Sequence, residues 1–169
     1  VVALSTDKAS SPINLYGATK LCSDRMFVSA NHYAAHHPTR FSVVRYGNVM
    51  GSRGSVIPVF RDLAARGQSL PITDKRMTRF WITLEQGVRF VMKCTEVMRG
   101  GEVFVPKIPS MRLGDLADSV AKGCRQNVVG IRGGEKIHEM LLSADEARHA
   151  QEHDDMFVVH PDNPAFEPP

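Results

Sequence analysis

A parallel α/β sheet joined to a smaller α+β lobe is the fold class this sequence predicts, and three observations predict it. Val1-Val2-Ala3-Leu4 and Phe41-Ser42-Val43-Val44-Arg45-Tyr46 are short, nearly continuous apolar runs of the kind that form buried parallel strands. Between them a helical pattern runs from Pro12 to about His37, with Pro38 marking its exit. A strand, a helix and a strand in that order imply a parallel, right-handed unit. Ligands of such sheets sit at the carboxyl ends of the strands, so Thr6 to Lys8 and Tyr46 to Asn48 are expected to face one cleft.

The first helix offers Tyr16, Leu21, Met26, Ala30 and Tyr33 to an inner face, with Asp24, Arg25 and His32 outside. Gly47 lets the backbone turn from the second strand into a loop. Val56 to Arg66 is a short helix interrupted early by Pro58 and stopped by Gly67, and Leu70 to Ile82 reads as irregular. Thr83-Leu84-Glu85-Gln86 has the order of a capping box and starts a helix to about Met98, which Gly100-Gly101 ends. Glu102 to Val105 is a strand, Leu113 to Lys122 a helix and Gln126 to Ile131 a strand. Ser143-Ala144-Asp145-Glu146 repeats the capping box before a short helix, Met156 to His160 is a last strand, and the Pro-rich end from Pro161 is a surface tail.

With 169 residues, 43% of them hydrophobic, the chain can bury one moderate core. Its net charge of +3 is small and its basic residues are scattered, so no nucleic-acid partner is expected. Cys22, Cys94 and Cys124 show no Cys-x-x-Cys pairing, which suits free thiols in a reducing cytoplasm and indicates neither a zinc site nor a disulfide framework. His32 and His36 stand four apart but lack the interposed carboxylate of a metal-binding helix, so no metal is assigned. No apolar run approaches the roughly 18 residues of a membrane span. The chain starts on an apolar strand without Met and contains no Gly-x-Gly-x-x-Gly after a strand, so it is expected to begin inside a nucleotide-binding domain whose first part lies upstream.

Tyr16 and Lys20 are four apart, and on a helix they share one face. An ammonium beside a phenol favours the phenolate, which suits a tyrosine to acid/base work. The same spacing also arises where an aromatic packs and a lysine snorkels, so the pair gains meaning from its place just after a strand ending in Ser5-Thr6-Asp7-Lys8.

On these residues the chain resembles the extended short-chain dehydrogenase/reductase family. More narrowly, five blocks in the same order are similar to the inverting UDP-N-acetylglucosamine 4,6-dehydratases. They are Ser5-Thr6-Asp7-Lys8, Asn14-Leu15-Tyr16-Gly17-Ala18-Thr19-Lys20, Val44-Arg45-Tyr46-Gly47-Asn48-Val49, Met77-Thr78-Arg79-Phe80-Trp81 and Pro106-Lys107-Ile108-Pro109-Ser110-Met111. The resemblance implies the C-terminal part of a Rossmann-like domain over 1–55, a lobe for the nucleotide-sugar over 56–160 with elements returning to the core, and a tail over 161–169. It implies NADP, with NAD as the other candidate, a UDP-sugar substrate and a homo-oligomer.

A 4,6-dehydratase oxidises sugar C4, eliminates water across C5 and C6, and returns the hydride to C6. The resemblance assigns the C4 hydroxyl proton to Tyr16, a hydrogen bond to the same hydroxyl to Thr6, and the cofactor ribose to Lys20, with Tyr46 and Val49 as further cofactor contacts. It implies Lys8 as acid/base at C5 and Asp7 as proton donor to the departing C6 hydroxyl. Retaining dehydratases carry Asp-Glu here, so Lys8 argues against them and against a C4 epimerase; a plain Asp7–Lys8 salt bridge is the other reading.

Of Arg53, Arg79 and Arg132, two are expected to bind the diphosphate, because guanidinium forks match phosphate oxygens. Asn48 would bond the sugar or its diphosphate, Val56 and Pro58 would line the pocket, and Glu135 would take ribose hydroxyls. Gly133 stands where the family has Pro, which loosens that turn. Trp81 and Phe80 are expected to pack the lobe. Against the enzyme stands a different class of function: without a glycine-rich turn, these 169 residues form a nucleotide-sugar binding module only.

Overall fold

The computed structural model describes residues 1–34 and 37–161. In chain order its elements are β1 (Val2–Thr6), a 3₁₀ turn (Asp7–Ala9), α1 (Leu15–Tyr33), β2 (Ser42–Tyr46), β3 (Asn48–Val49), α2 (Val56–Ala65), β4 (Leu70–Ile72) and β5 (Thr78–Ile82). There follow α3 (Leu84–Val97), β6 (Val103–Pro106), β7 (Ser110–Arg112), α4 (Leu113–Val120), β8 (Gln126–Val128), α5 (Ala144–Ala147), β9 (Ala150–Glu152) and β10 (Met156–Val159). These gather into two compact units. The first holds 1–47, 85–107 and the chain from Met140; the second holds 48–84 and 108–139.

The first unit is a five-stranded sheet in the order β1-β2-β6-β10-β9. β1, β2 and β6 run parallel, and β10 and β9 are added antiparallel. On one face α3 buries Phe90 and Cys94 against Val44, Phe104, Met156 and Val158. The register of β1 with β2 sets Ser5 beside Arg45 and Thr6 beside Tyr46, and alternation sends Ser5 and Arg45 to the opposite face, where α1 lies.

α1 docks on that face through polar contacts, about one per turn. Gly17 passes so close to the loop after β1 that an added Cβ would stand 2.3 Å from the Lys8 carbonyl oxygen. Lys20 Nζ donates to the Leu4 carbonyl at 2.8 Å. Asp24 pairs with Arg45, and Asn31 donates to the Phe41 carbonyl at 2.8 Å while its Oδ1 accepts from the Phe41 N–H at 2.9 Å. Gly17, Asp24 and Asn31 are the buried residues of the helix.

This overturns part of the inner face that apolar spacing predicts: Leu21 and Ala30 are partly buried and Arg25 and His32 exposed as expected, but the rest is not. Asp24 is 2% exposed, whereas Met26 is 71% and Tyr33 89% exposed, and Tyr16 is also exposed. The side with the greatest number of partners on the sheet lies inside, and here those partners are polar. The helix is also shorter than the Pro12–His37 reading: the Asn14 side chain caps it by accepting from the Gly17 N–H at 2.8 Å, and it ends at Tyr33. His36 and the tail 162–169 lie outside the described residues.

The second unit packs α2 and α4 around Ile57, Phe60, Leu70, Ile72, Met77, Trp81, Leu113 and Leu116. Pro58 does not interrupt α2, because it is the third residue of the helix, where its missing N–H has no intrahelical partner to lose. The stretch read as irregular, Leu70 to Ile82, contains two strands. β4 pairs with β8 in a two-stranded sheet that tolerates Pro71, and β5 lies between β3 and β7. The loop expected at Gly47 is the short strand β3, and β8 stops at Val128, before the expected Ile131. α5 has its capping box: Ser143 Oγ accepts from the Glu146 N–H, and the Glu146 carboxylate takes the Ser143 N–H at 3.0 Å. Among the described residues no helix is long and apolar enough to cross a membrane.

Candidate active site

The carboxyl end of β1 carries Thr6, Asp7 and Lys8. β1 runs on to Thr6, past the Leu4 at which the apolar run stops, and the chain then tightens into the 3₁₀ turn, so three polar side chains are presented where a parallel sheet binds ligands. Asp7 is fully buried. Its Oδ1 accepts from Thr6 Oγ1 and from Lys8 Nζ, both at 3.0 Å, while Oδ2 is buried without a hydrogen-bond partner. Lys8, by contrast, keeps 30% of its side chain exposed. One end of the ion pair is therefore fixed in the protein and the other reaches the surface.

Tyr16 and Lys20 stand on the first two turns of α1, beside that end of β1. Tyr46, on β2 next to Thr6, is partly buried. Burial, and then the negative charge of Tyr16, hold the Tyr46 phenol above its ordinary range, which marks the two tyrosines as electrostatic neighbours. All six of Thr6, Asp7, Lys8, Tyr16, Lys20 and Tyr46 belong to the first unit.

The other predicted residues belong to the second unit. Asn48 and Val49 are β3, in register with Trp81 and Ile82. Arg53 is exposed in the turn before α2, and Val56 opens that helix. Arg79 is engaged within the unit: its guanidinium donates to the Thr78 carbonyl at 2.8 Å and the Ile137 carbonyl at 3.1 Å, and reaches the Met77 sulfur at 3.4 Å. Arg132 and Glu135 share one turn, in which the Glu135 N–H donates to the Arg132 carbonyl. Trp81 is buried in the core, as the packing reading expected.

A cluster that the sequence reading left out lies behind the Tyr16–Lys20 pair. Arg45, 1% exposed, donates to Asp24 Oδ2 at 3.1 Å, to Glu146 Oε2 at 2.9 Å and to the Leu141 carbonyl at 3.1 Å. Burial pushes the Asp24 carboxyl above its ordinary range, against the pull of Arg45. Glu146 is also penalised by burial, but its hydrogen bond and charge contact with Arg45, together with Ser143, outweigh this and hold it below. The legible signal was an arginine inside the apolar run Val43-Val44-Arg45-Tyr46, because a buried guanidinium requires carboxylate partners.

The family model described as polysaccharide biosynthesis protein matches residues 1–161. The chain belongs to that family. A UDP-N-acetylglucosamine 4,6-dehydratase (inverting) from Campylobacter jejuni is 55% identical over 161 residues, which are 95% of this chain and 48% of that protein. The chain thus spans about half the length of such relatives. Among solved structures, Pen from Bacillus thuringiensis superposes with a TM-score of 0.91 at 38% identity, covering 96% of this chain and 53% of that one. The dTDP-glucose 4,6-dehydratase DesIV from Streptomyces venezuelae, solved with NAD and TYD bound, superposes with a TM-score of 0.72 at 22% identity, covering 88% and 52%. That last likeness speaks for the fold alone, a Rossmann-like α/β architecture.

Proposed function

We propose that this polysaccharide biosynthesis protein is the C-terminal part of an NADP-dependent UDP-N-acetylglucosamine 4,6-dehydratase that inverts C5. Its product would be a UDP-4-keto-6-deoxy-HexNAc for bacterial surface or flagellar glycans of the pseudaminic-acid type. The observation that carries this reading is the Asp7–Lys8 pair at 3.0 Å, closing the strand beside which Tyr16 and Lys20 stand. A buried carboxylate with one oxygen unpartnered, tied to a lysine that reaches the surface, has the makeup of an acid/base couple for an elimination.

In this reading Tyr16 takes the proton of the C4 hydroxyl, which Thr6 also hydrogen-bonds, and Lys20 supports the phenolate. Lys8 exchanges the proton at C5, and Asp7 delivers one to the departing C6 hydroxyl. Because a lysine side chain is long and flexible, proton return from the opposite side of C5 is open to it. The nicotinamide, when bound, supplies the redox chemistry at C4 and C6. Lys20 fits its ribose, since the ammonium is presented at the end of β1 on a replaceable carbonyl contact, and Tyr16, Tyr46 and Val49 are the further contacts proposed for it. For the diphosphate, Arg53 and Arg132 are the exposed guanidiniums, and Arg79 is the one already engaged. Asn48 and Val56 would line the sugar and uracil pocket, and Glu135 would take the ribose.

We further propose a homo-oligomer, supported by the exposed apolar side chains Leu15, Met26 and Tyr33 on α1, and a cytoplasmic location, supported by three free cysteines. The test is to turn over UDP-N-acetylglucosamine with the complete enzyme in deuterium oxide. Deuterium at C5 and an inverted C5 centre are expected, and Lys8→Ala should stop C5 exchange while C4 oxidation continues. C5 exchange that persists in Lys8→Ala would remove Lys8 from its role. Assaying the 169 residues alone separates the binding-module reading, which the lack of a glycine-rich turn favours: it expects UDP-sugar binding without turnover.

A further inference from the structure

Tyr16, Lys20 and Asp24 follow one another at intervals of four on α1, so each sits one turn beyond the last on nearly the same side of the helix. Whatever fixes Asp24 in rotation therefore fixes the other two. Asp24 is fixed by Arg45, and Arg45 is fixed in turn by its place on β2, in register with Ser5 and one residue before Tyr46, whose partner is Thr6. The other terminal nitrogen of the guanidinium, Nη1, donates to both Glu146 and the Leu141 carbonyl, which keeps it from swinging with the helix. Of the large apolar residues of α1, Leu15, Met26 and Tyr33 point to solvent, and the partly buried Phe27, which meets Phe41 edge-on at 6.1 Å, lies beyond Asp24 from Tyr16 and Lys20.

We infer that Arg45 is a positioning residue: through Asp24 it sets the rotation of α1 about its own axis and so brings Tyr16 and Lys20 to the end of β1, where Thr6 and Lys8 stand. The inference rests on the reading of Tyr16 and Lys20 as catalytic. An arginine is required because one planar fork must serve two carboxylates and a carbonyl at once, which a lysine ammonium on a flexible stem does not reproduce.

The test uses a readout independent of turnover. The chain has three tyrosines, Tyr16, Tyr33 and Tyr46, whose ionisation can be followed one by one by NMR of labelled rings. In the parent chain, Tyr16→Phe should lower the ionisation midpoint of Tyr46, because the charge of Tyr16 helps to raise it. In Arg45→Lys the same replacement should leave Tyr46 unmoved, since α1 has lost its setting. Asp24→Asn, isosteric and milder, carries the same cycle should Arg45→Lys fail to fold.

In the complete enzyme, both variants should lower kcat by about tenfold or more with KM for the UDP-sugar within about twofold, the mark of misplaced reacting groups. A folded Arg45→Lys or Asp24→Asn chain with the tyrosine coupling intact would overturn the proposal, and so would an unchanged kcat. Loss of the coupling in a protein whose parent form shows no dehydratase turnover would uphold the positioning role and sink the dehydratase reading instead.

Discussion

The first unit carries two charged clusters, one at each end of the same short reach of α1, and they are built in opposite ways. Asp24, Arg45 and Glu146 form a closed set, with a buried cation between two carboxylates and a capping serine behind one of them. Asp7 and Lys8 form an open set: one oxygen of Asp7 has no partner, and the lysine that neutralises the other is partly in solvent. The closed set has little freedom to exchange partners, which suits it to holding an angle. The open set has a cation that reaches solvent and can be given up, which suits it to chemistry. Charge, burial and unmet hydrogen bonds do not separate the two, since Asp24 Oδ1 and Arg45 Nε are buried without partners just as Asp7 Oδ2 is; the exposure of the cation does, Lys8 reaching solvent where Arg45 is buried.

The largest effect should come from breaking the closed set. Arg45→Met leaves two carboxylates buried without their cation, and the removal of one partner from a buried ion pair costs about 3–5 kcal/mol. Urea unfolding of this variant should show that loss, and a cost below about 1 kcal/mol would mean that the triad is as loose as the open pair.

A smaller effect tests the joint between the clusters, where Gly17 lies against the loop that carries Lys8. A methyl group there would stand 2.3 Å from the Lys8 carbonyl oxygen and 3.0 Å from the Pro12 side chain. The near neighbour is backbone and cannot swing aside, so α1 or the loop must move. Gly17→Ala should cost about 1–3 kcal/mol despite the better helix propensity of alanine. A stabilised Gly17→Ala, read from the same urea curves, would show that α1 stands off from the loop and is held by its polar contacts at Lys20, Asp24 and Asn31.

Much of the first unit was legible in the sequence, because its signals are local. The apolar runs of β1 and β2, the capping box of α5 and the Tyr16–Lys20 spacing all lie within a few residues, and the parallel order follows from them. The inner face of α1 was not legible. Its anchors are polar and their partners are distant in sequence: Arg45 is 21 residues from Asp24, and Glu146 is 101 from Arg45. A rule that places apolar residues inside had no means of weighing those bonds, and it turned Asp24 outward. β4 was hidden by Pro71, which a two-stranded sheet accepts and a central strand would not. The candidate site residues are proposed from their order along the chain, whereas the closed set behind them needed the fold to bring β2 and α5 together.

The finest distinction between the clusters is how the closed one answers pH, and its two carboxylates should answer with opposite sign. Glu146 is held below its ordinary range, so the unfolded chain binds its proton first. Its contribution is present above the ordinary carboxylate range, near about pH 4, and is lost as the pH falls through its depressed value. Asp24 is held above its ordinary range by burial, so the folded chain binds its proton first. That contribution is complete below about pH 4 and is lost as the pH rises through the raised value. Unfolding free energies from urea curves between about pH 3 and 7 should therefore flatten on the acid side in Glu146→Gln and lose a downward slope on the neutral side in Asp24→Asn. An acid limb unchanged in Glu146→Gln would mean that Arg45 does not hold Glu146 in solution, and the cluster would then be open on the α5 side, with Asp24 as its one firm arm.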